Sequence, residues 1–268
     1  MKVILLTSTY RRHQAVANHV ATRCELAGVW QETKTFVPER YAVSDDDHAV
    51  IQAHFEARDA SEADYFAADA ALKLDASAVV RRVEGNGCND AGEVAAMTAL
   101  EPDVVLVFGT GILRQPLLSA FPGRIINIHL GLSPYYRGAG TNFWPLVNRE
   151  PEYVGATIHY LDAGIDTGPI LAHARPATEP GDGPHDLGNK TIAAAARLLV
   201  DAAEAHLHGR VAPVPQRGGG RLYQRKDFNA DAVRRLLRNF ETGMIDEYLA
   251  DRARRDAALD LVELNLPV

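Results

Sequence analysis

Hydrophobic and polar positions switch repeatedly between two periods along this chain. Val3-Ile4-Leu5-Leu6 is a short unbroken apolar run, the pattern of a strand buried on both faces. Residues 12–26 then carry apolar side chains at helical spacing, with Gly28 as the expected stop. A second strand is predicted over 30–37, ending at Pro38. Residues 45–74 are polar and Ala-rich, with Val50, Ile51, His54, Phe55, Tyr65 and Phe66 at helical spacing. They predict one or two helices with an aromatic packing stripe. A strand over 78–83, a Gly-Asn-Gly turn and a helix over 90–100 follow. Val104-Val105-Leu106-Val107-Phe108 is the clearest buried strand, and the strand at 125–129 comes one short helix later. Strands that alternate with helices in this way predict an α/β fold, a mainly parallel sheet covered on both faces.

The second half is less regular. Residues 141–148 predict a helix capped by Thr141, and 154–160 alternate as a strand. A further strand starts at Ile170 after only a loop, which requires part of the sheet to be antiparallel. A long helix is expected over 187–208. From Val211 the chain reads as loop, with Pro213, Pro215 and Gly218-Gly219-Gly220. A second long helix is expected over 230–249, its apolar face at Val233, Leu236, Leu237, Phe240, Met244 and Tyr248. That face suits docking on the body or on a second subunit, so a homodimer is compatible with it. The division expected is 1–210 as the catalytic domain and 211–268 as a loop and helical extension.

The candidate chemistry lies at Ile125–Pro134, IINIHLGLSP. Side chains alternate along a strand, so Asn127 and His129 share one face. An amide and an imidazole side by side at a strand terminus can hold and polarise a carbonyl oxygen. Downstream, residues 162–169 read DAGIDTGP, a tight turn carrying two acids. A carboxylate from Asp166 on His129 would fix its tautomer and raise its pKa above the usual value of about 6.5. No Ser or Cys sits in a nucleophile elbow, so the attacking group is expected from a substrate, an amine being the natural one. A metal site from His129, His159 and Asp166 can be drawn, but His159 reads better as packing or support, and no metal is expected.

Bulk properties narrow the partners. A formal net charge of −7 weighs against a protein built to grip nucleic acid. Two cysteines, Cys24 and Cys88, fall in no ligand or disulfide spacing, which fits a reducing cytoplasm. No window is long and apolar enough for a membrane span.

Three motifs in order, Asn127-x-His129, the SPYYRG loop at 133–138, and Asp162-x-x-x-Asp166-x-Gly168-Pro169, resemble the formyltransferase family that uses 10-formyltetrahydrofolate. The resemblance is specific over 102–176 and looser over 1–205. It implies the Rossmann-like formyltransferase fold, with Asn127, His129 and Asp166 as the catalytic trio. It also implies a pterin pocket lined by Gly111, Ile112 and Leu113 on one side and by Asp162, Gly164 and Ile165 on the other. The turn after Phe108 lacks the third glycine of a dinucleotide fingerprint, which agrees. Arg11, Arg12, Tyr136 and Arg137 are the expected contacts of a small anionic amine acceptor. The run at 137–142 and the segment at 222–227 look similar to the sugar N-formyltransferase branch. The position after the first strand lacks the glycines of the glycinamide ribonucleotide branch. The residues after the core read as helix rather than as the barrel of the methionyl-tRNA branch, and no regulatory segment of the deformylase branch precedes the core. The expectation is therefore formyl transfer to an amine on a nucleotide-linked amino sugar. Glycinamide ribonucleotide, another small amine, or plain hydrolysis of the donor stand as alternatives.

Overall fold

The computed structural model describes residues 1–33, 37, 41–164, 167–216 and 218–264. In chain order the elements are β1 (Lys2–Ser8), α1 (Arg11–Arg23), β2 (Glu25–Thr33), α2 (Asp45–Tyr65), β3 (Val79–Glu84), α3 (Ala91–Ala99), β4 (Val104–Phe108), α4 (Leu117–Ala120) and β5 (Ile125–Leu130). They continue as β6 (Tyr136–Gly138), α5 (Phe143–Val147), β7 (Ala156–Tyr160), β8 (Ile170–Ala174), α6 (Pro184–Leu207), β9 (Arg221–Tyr223), α7 (Ala230–Glu241), α8 (Met244–Ala250) and α9 (Arg252–Asp256). Seven strands form one sheet in the order β3-β2-β1-β4-β5-β7-β8. The first five run parallel, while β7 and β8 are antiparallel to their neighbours.

The two-residue alternation along β1 sorts its side chains into two cores. Val3 and Leu5 pack with Leu106 and Ile126 under Val16 and Val20 of α1 and Leu199 of α6. Ile4 and Leu6 join Val105 and Val107 on the other face, under Met97, Leu117 and Phe121. Full burial of each such side chain contributes about 2 kcal/mol. A third core joins the extension to the body: Leu236, Met244 and Ile245 pack on Tyr136, Trp144, Leu146 and Leu187.

Several boundaries differ from the sequence expectation, each for a local reason. Helix α1 stops at Arg23, and Gly28 lies inside β2, where a Cβ would stand 2.6 Å from the Trp30 ring. Residues 34–36, part of the expected second strand, lie outside the described residues. Thr141 does not cap a helix; its hydroxyl donates to the Leu130 carbonyl instead, and α5 begins at Phe143. The segment after Val211 is not all loop, because β9 pairs in parallel with β6. The helix expected over 230–249 breaks at Gly243, whose φ of 78° ends α7 before α8 starts. Among the described residues no helix is long and apolar enough to cross a membrane.

Candidate active site

Strand β5 ends with Asn127 and His129 on one face, at the carboxyl edge of the parallel strands. The antiparallel register sets Asn127 directly opposite His159 and His129 opposite Thr157. Asn127 Nδ2 lies 3.0 Å from His159 Nε2, and His159 Nδ1 lies 2.8 Å from the Tyr160 carbonyl oxygen. A carbonyl only accepts, so His159 carries its proton on Nδ1 and its Nε2 accepts from Asn127. The direction of the Asn127 carboxamide is thereby fixed, with one N–H spent on His159 and the second remaining to donate. His159 is fully buried, so its support is shielded from water.

The loop after β5 is tied down with equal economy. Thr157 Oγ1 donates to the Gly131 carbonyl at 2.6 Å and accepts from the Ser133 N–H at 2.9 Å. Gly131 has φ 139°, and a Cβ there would meet Thr141 at 2.5 Å and His129 Nε2 at 3.2 Å. Only glycine lets the chain pass between that threonine and the imidazole. His173 on β8 holds the same loop from outside: its Nε2 lies 3.0 Å from the Ser133 carbonyl, and its Nδ1 accepts from the Val262 N–H at 2.9 Å. Burial pushes its pKa down to about 4, against the upward pull of the Ser133 carbonyl and Asp260.

Two cavities flank this loop. One, of about 430 Å³, opens on His129 and is walled by Ser133, Arg137, Gln216, Tyr223 and Gln224. Its far wall comes from the extension, held by the β6–β9 pair and by Tyr223 stacked on Trp144 at 4.2 Å. The other, of about 330 Å³, lies beyond Thr141 and is lined by Arg12, His54, Asn142, Phe143 and His185. Burial, reinforced by His185 and Arg58, lowers the pKa of His54 to about 3; burial and Arg58 lower that of His185 to about 4. That second cavity is therefore lined by neutral imidazoles at ordinary pH.

The remaining candidates fall into distinct places. Gly111, Ile112 and Leu113 form the loop after β4, with Leu113 buried and Ile112 exposed. Asp162 accepts from the Gly164 N–H at 2.9 Å and from the Thr167 hydroxyl at 2.8 Å, which closes the turn after β7. Asp166 and Ile165 lie outside the described residues. Arg12 is ion-paired with Glu62 at 2.5 Å and reaches over Tyr10, while Arg11 is directed toward the Ala63 carbonyl. Arg137 faces the larger cavity. Tyr136 does not line it: its hydroxyl is engaged with Glu150, Asn148 and Arg221, and burial together with Glu150 pushes its pKa up. Among the described residues no cluster of three metal-binding side chains occurs. Sequence reading placed His159 near the site without seeing that it orients Asn127. The contact follows from the antiparallel register of β5 and β7, which sequence spacing does not encode.

His129 opens on the larger cavity, and the carboxamide of Asn127, held by His159, stands beside it on the same face of β5; an amide and an imidazole so placed can polarise a carbonyl oxygen. The formyl transferase family matches residues 41–203, more than half of the chain, and the protein belongs to that family, whose formyl donor is 10-formyltetrahydrofolate. A methionyl-tRNA formyltransferase of Synechococcus sp. (strain JA-3-3Ab) is 34% identical over 143 residues, covering 52% of this chain and 44% of that protein. The chain thus spans less than half the length of this curated relative. A Mycobacterium tuberculosis protein regarded as a sugar N-formyltransferase superposes with a TM-score of 0.55 at 22% identity, over 85% of this chain and 76% of that one. Glycinamide ribonucleotide transformylase 1 from Symbiobacterium toebii gives 0.53 at 20% identity, over 80% and 94%. Likeness at these identities concerns the fold.

Proposed function

We infer that this chain transfers the formyl group of 10-formyltetrahydrofolate to a primary amine, and that the acceptor is a small anionic molecule, an amino sugar linked to a nucleotide. The observation that carries the reading is the Asn127 carboxamide held by His159 on the same strand face as His129, which lines the 430 Å³ cavity.

The donor is assigned to the loop at 109–114, where Ile112 is exposed and Leu113 is packed into the core. Bound there, 10-formyltetrahydrofolate supplies the activated formyl carbon. Asn127 presents its second N–H where negative charge develops on the formyl oxygen, and His129 adds a second donor when protonated. Preorganised donors of this kind are worth about 10²–10³ in rate each. Asp166, which lies outside the described residues, is assigned to hold and charge His129 and to relay the attacking amine's proton, through water, to N10 of the departing tetrahydrofolate. Gly111, Ile112, Leu113, Asp162, Gly164 and Ile165 are assigned to the donor pocket, Arg137 and Arg12 to the acceptor.

A second reading has one specific support. The curated relatives that match at 34% and 36% identity are methionyl-tRNA formyltransferases, so a tRNA-linked amine is the rival acceptor. The extension argues for a small acceptor. Of the nine basic side chains among residues 221–256, Arg221, Arg234, Arg252, Arg254 and Arg255 are ion-paired to Glu150, Asp46, Asp256, Asp251 and Glu152. Cations neutralised within the protein release few counterions from a phosphate backbone.

The test is tetrahydrofolate release from 10-formyltetrahydrofolate with nucleotide-linked amino sugars, glycinamide ribonucleotide, methionyl-tRNA and simple amines. The reading predicts stimulation by an amino-sugar nucleotide. Stimulation by methionyl-tRNA or glycinamide ribonucleotide alone removes the acceptor assignment, and fast formate release without any amine removes the transferase assignment.

A further inference from the structure

Outside the trio, one buried acid is Glu32, the penultimate residue of β2. It is fully buried, and its Oε2 accepts the Gly111 N–H at 2.5 Å. To do so it reaches across the end of β1, since β1 stands between β2 and β4 in the sheet. The ends of the three strands are laced together at that point. Ser8 Oγ donates to the Glu32 carbonyl at 2.9 Å, and Thr7 Oγ1 donates to the Phe108 carbonyl at 2.8 Å.

The residues after Gly111 are held from a second direction. Asn89 donates to the Ile112 carbonyl at 3.0 Å and accepts from the Arg114 N–H at 2.6 Å. Asn86, itself left-handed at φ 54°, stands where a Cβ on Gly111 would come within 2.2 Å of its Oδ1. Three of the four residues from Gly111 to Arg114 thus have a backbone group held by a side chain of a distant segment. Surface loops usually carry their own turn chemistry.

A stabilising role is a poor account of Glu32. A carboxylate taken wholly out of water loses a large hydration energy, which one backbone N–H and the weakly donating thiol of buried Cys88 return only in part. Its Oε1 is buried, and no described residue gives it a conventional hydrogen bond. A neutral side chain would serve the core better. What the carboxylate does supply is a strong, directional acceptor that fixes one N–H.

We propose that Glu32 is a positioning residue for the folate donor, acting through Gly111 to hold the 111–113 backbone in the shape that receives the pterin ring. The proposal rests on the donor assignment made above. It makes Glu32 matter for donor affinity and not for acceptor affinity.

The experiment compares wild type, Glu32→Ala, Glu32→Gln and Asn89→Ala by direct tetrahydrofolate titration and by KM for each substrate, with folded fraction followed by circular dichroism. Glu32→Ala is expected to weaken tetrahydrofolate binding and raise the KM for 10-formyltetrahydrofolate about tenfold, with the acceptor KM within twofold. Glu32→Gln keeps an oxygen for the Gly111 N–H and is expected to restore binding to within about threefold of wild type. Asn89→Ala should reproduce the donor-specific loss. Unchanged tetrahydrofolate affinity in folded Glu32→Ala overturns the proposal, as does a Gln variant no better than Ala, or equal loss for both substrates. If wild type itself does not bind tetrahydrofolate, the donor assignment fails instead. Should both Glu32 variants fail to fold, Asn89→Ala decides: a donor-specific loss supports the proposal, and none overturns it.

Discussion

Acidification should destabilise this protein well above the pH at which its carboxylates titrate, and His173 is the place to measure it. Its two nitrogens have opposite duties, one on the Ser133 carbonyl and one receiving the Val262 N–H. Only the neutral ring can perform both. The folded pKa near 4 lies below the unfolded value of about 6.5, so between those values the unfolded chain binds more protons than the folded protein. Stability therefore rises with pH across that window. The contribution is fully present above about 6.5 and is lost as pH falls toward 4. The gap is worth about 3 kcal/mol in full, of which about 2 kcal/mol disappears between pH 7 and pH 5. His54 and His185 are lowered for the same reason, burial, and carry the same sign. The three together amount to about 5 kcal/mol over that range, comparable with the whole stability of many domains. Urea unfolding at pH 7, 6 and 5 measures this directly, and His173→Gln should reduce the pH 7-to-5 loss by about 2 kcal/mol. A wild-type loss below about 1 kcal/mol, or an unchanged slope in the Gln variant, refutes the argument that these imidazoles are buried neutral.

Four further outcomes follow from the site. Asn127→Ala should lower kcat by about 10²–10³, because it deletes a donor at the developing oxyanion; a fall under fivefold counts against that role. His159→Ala should lower kcat about tenfold while leaving donor affinity within twofold, since it frees the Asn127 carboxamide to rotate, and steady-state kinetics with both substrates reads the split. Gly131→Ala should cost about 2–3 kcal/mol by thermal or urea unfolding, because φ 139° and the Thr141 contact leave a methyl no place. Dialysis against EDTA should leave the rate within twofold; a loss restored by one added metal would replace the amide–imidazole mechanism.

Most of the sheet was legible because its strands are buried on both faces and read as unbroken apolar runs. Val104–Phe108 needed no correction. Asn127 and His129 were legible for a related reason, since strict alternation puts them on one face whatever the tertiary fold. Their support was harder to see. His159 reaches Asn127 only because β7 returns antiparallel in one particular register, and Glu32 reaches Gly111 only because β1 is inserted between β2 and β4. Sequence spacing encodes neither. Tyr136 illustrates the opposite error. It was expected among the acceptor contacts, yet its strand pairs with β9 and its hydroxyl is engaged with Glu150 and Asn148. The β6–β9 pair consists of three-residue strands far apart in the chain, too short for any periodicity to announce.

The treatment of the sheet's two borders has a practical consequence for anyone who shortens the protein. At β3 no described strand covers the border, which is guarded by Arg81 and Arg82 next to the exposed Val79 and Val80. At β8 it is roofed by the chain itself: Ile170 exchanges both backbone bonds with Val214, and Val262 takes the N–H of His173 while giving its own to the ring. An unroofed border of unpaired amides and carbonyls is a template for another molecule's strand. Removing residues 257–264 would leave most of the cores in place, losing Leu264 from the margin of the core under α1 and α6, and bare that part of the border, so such a product should associate and precipitate rather than simply melt earlier.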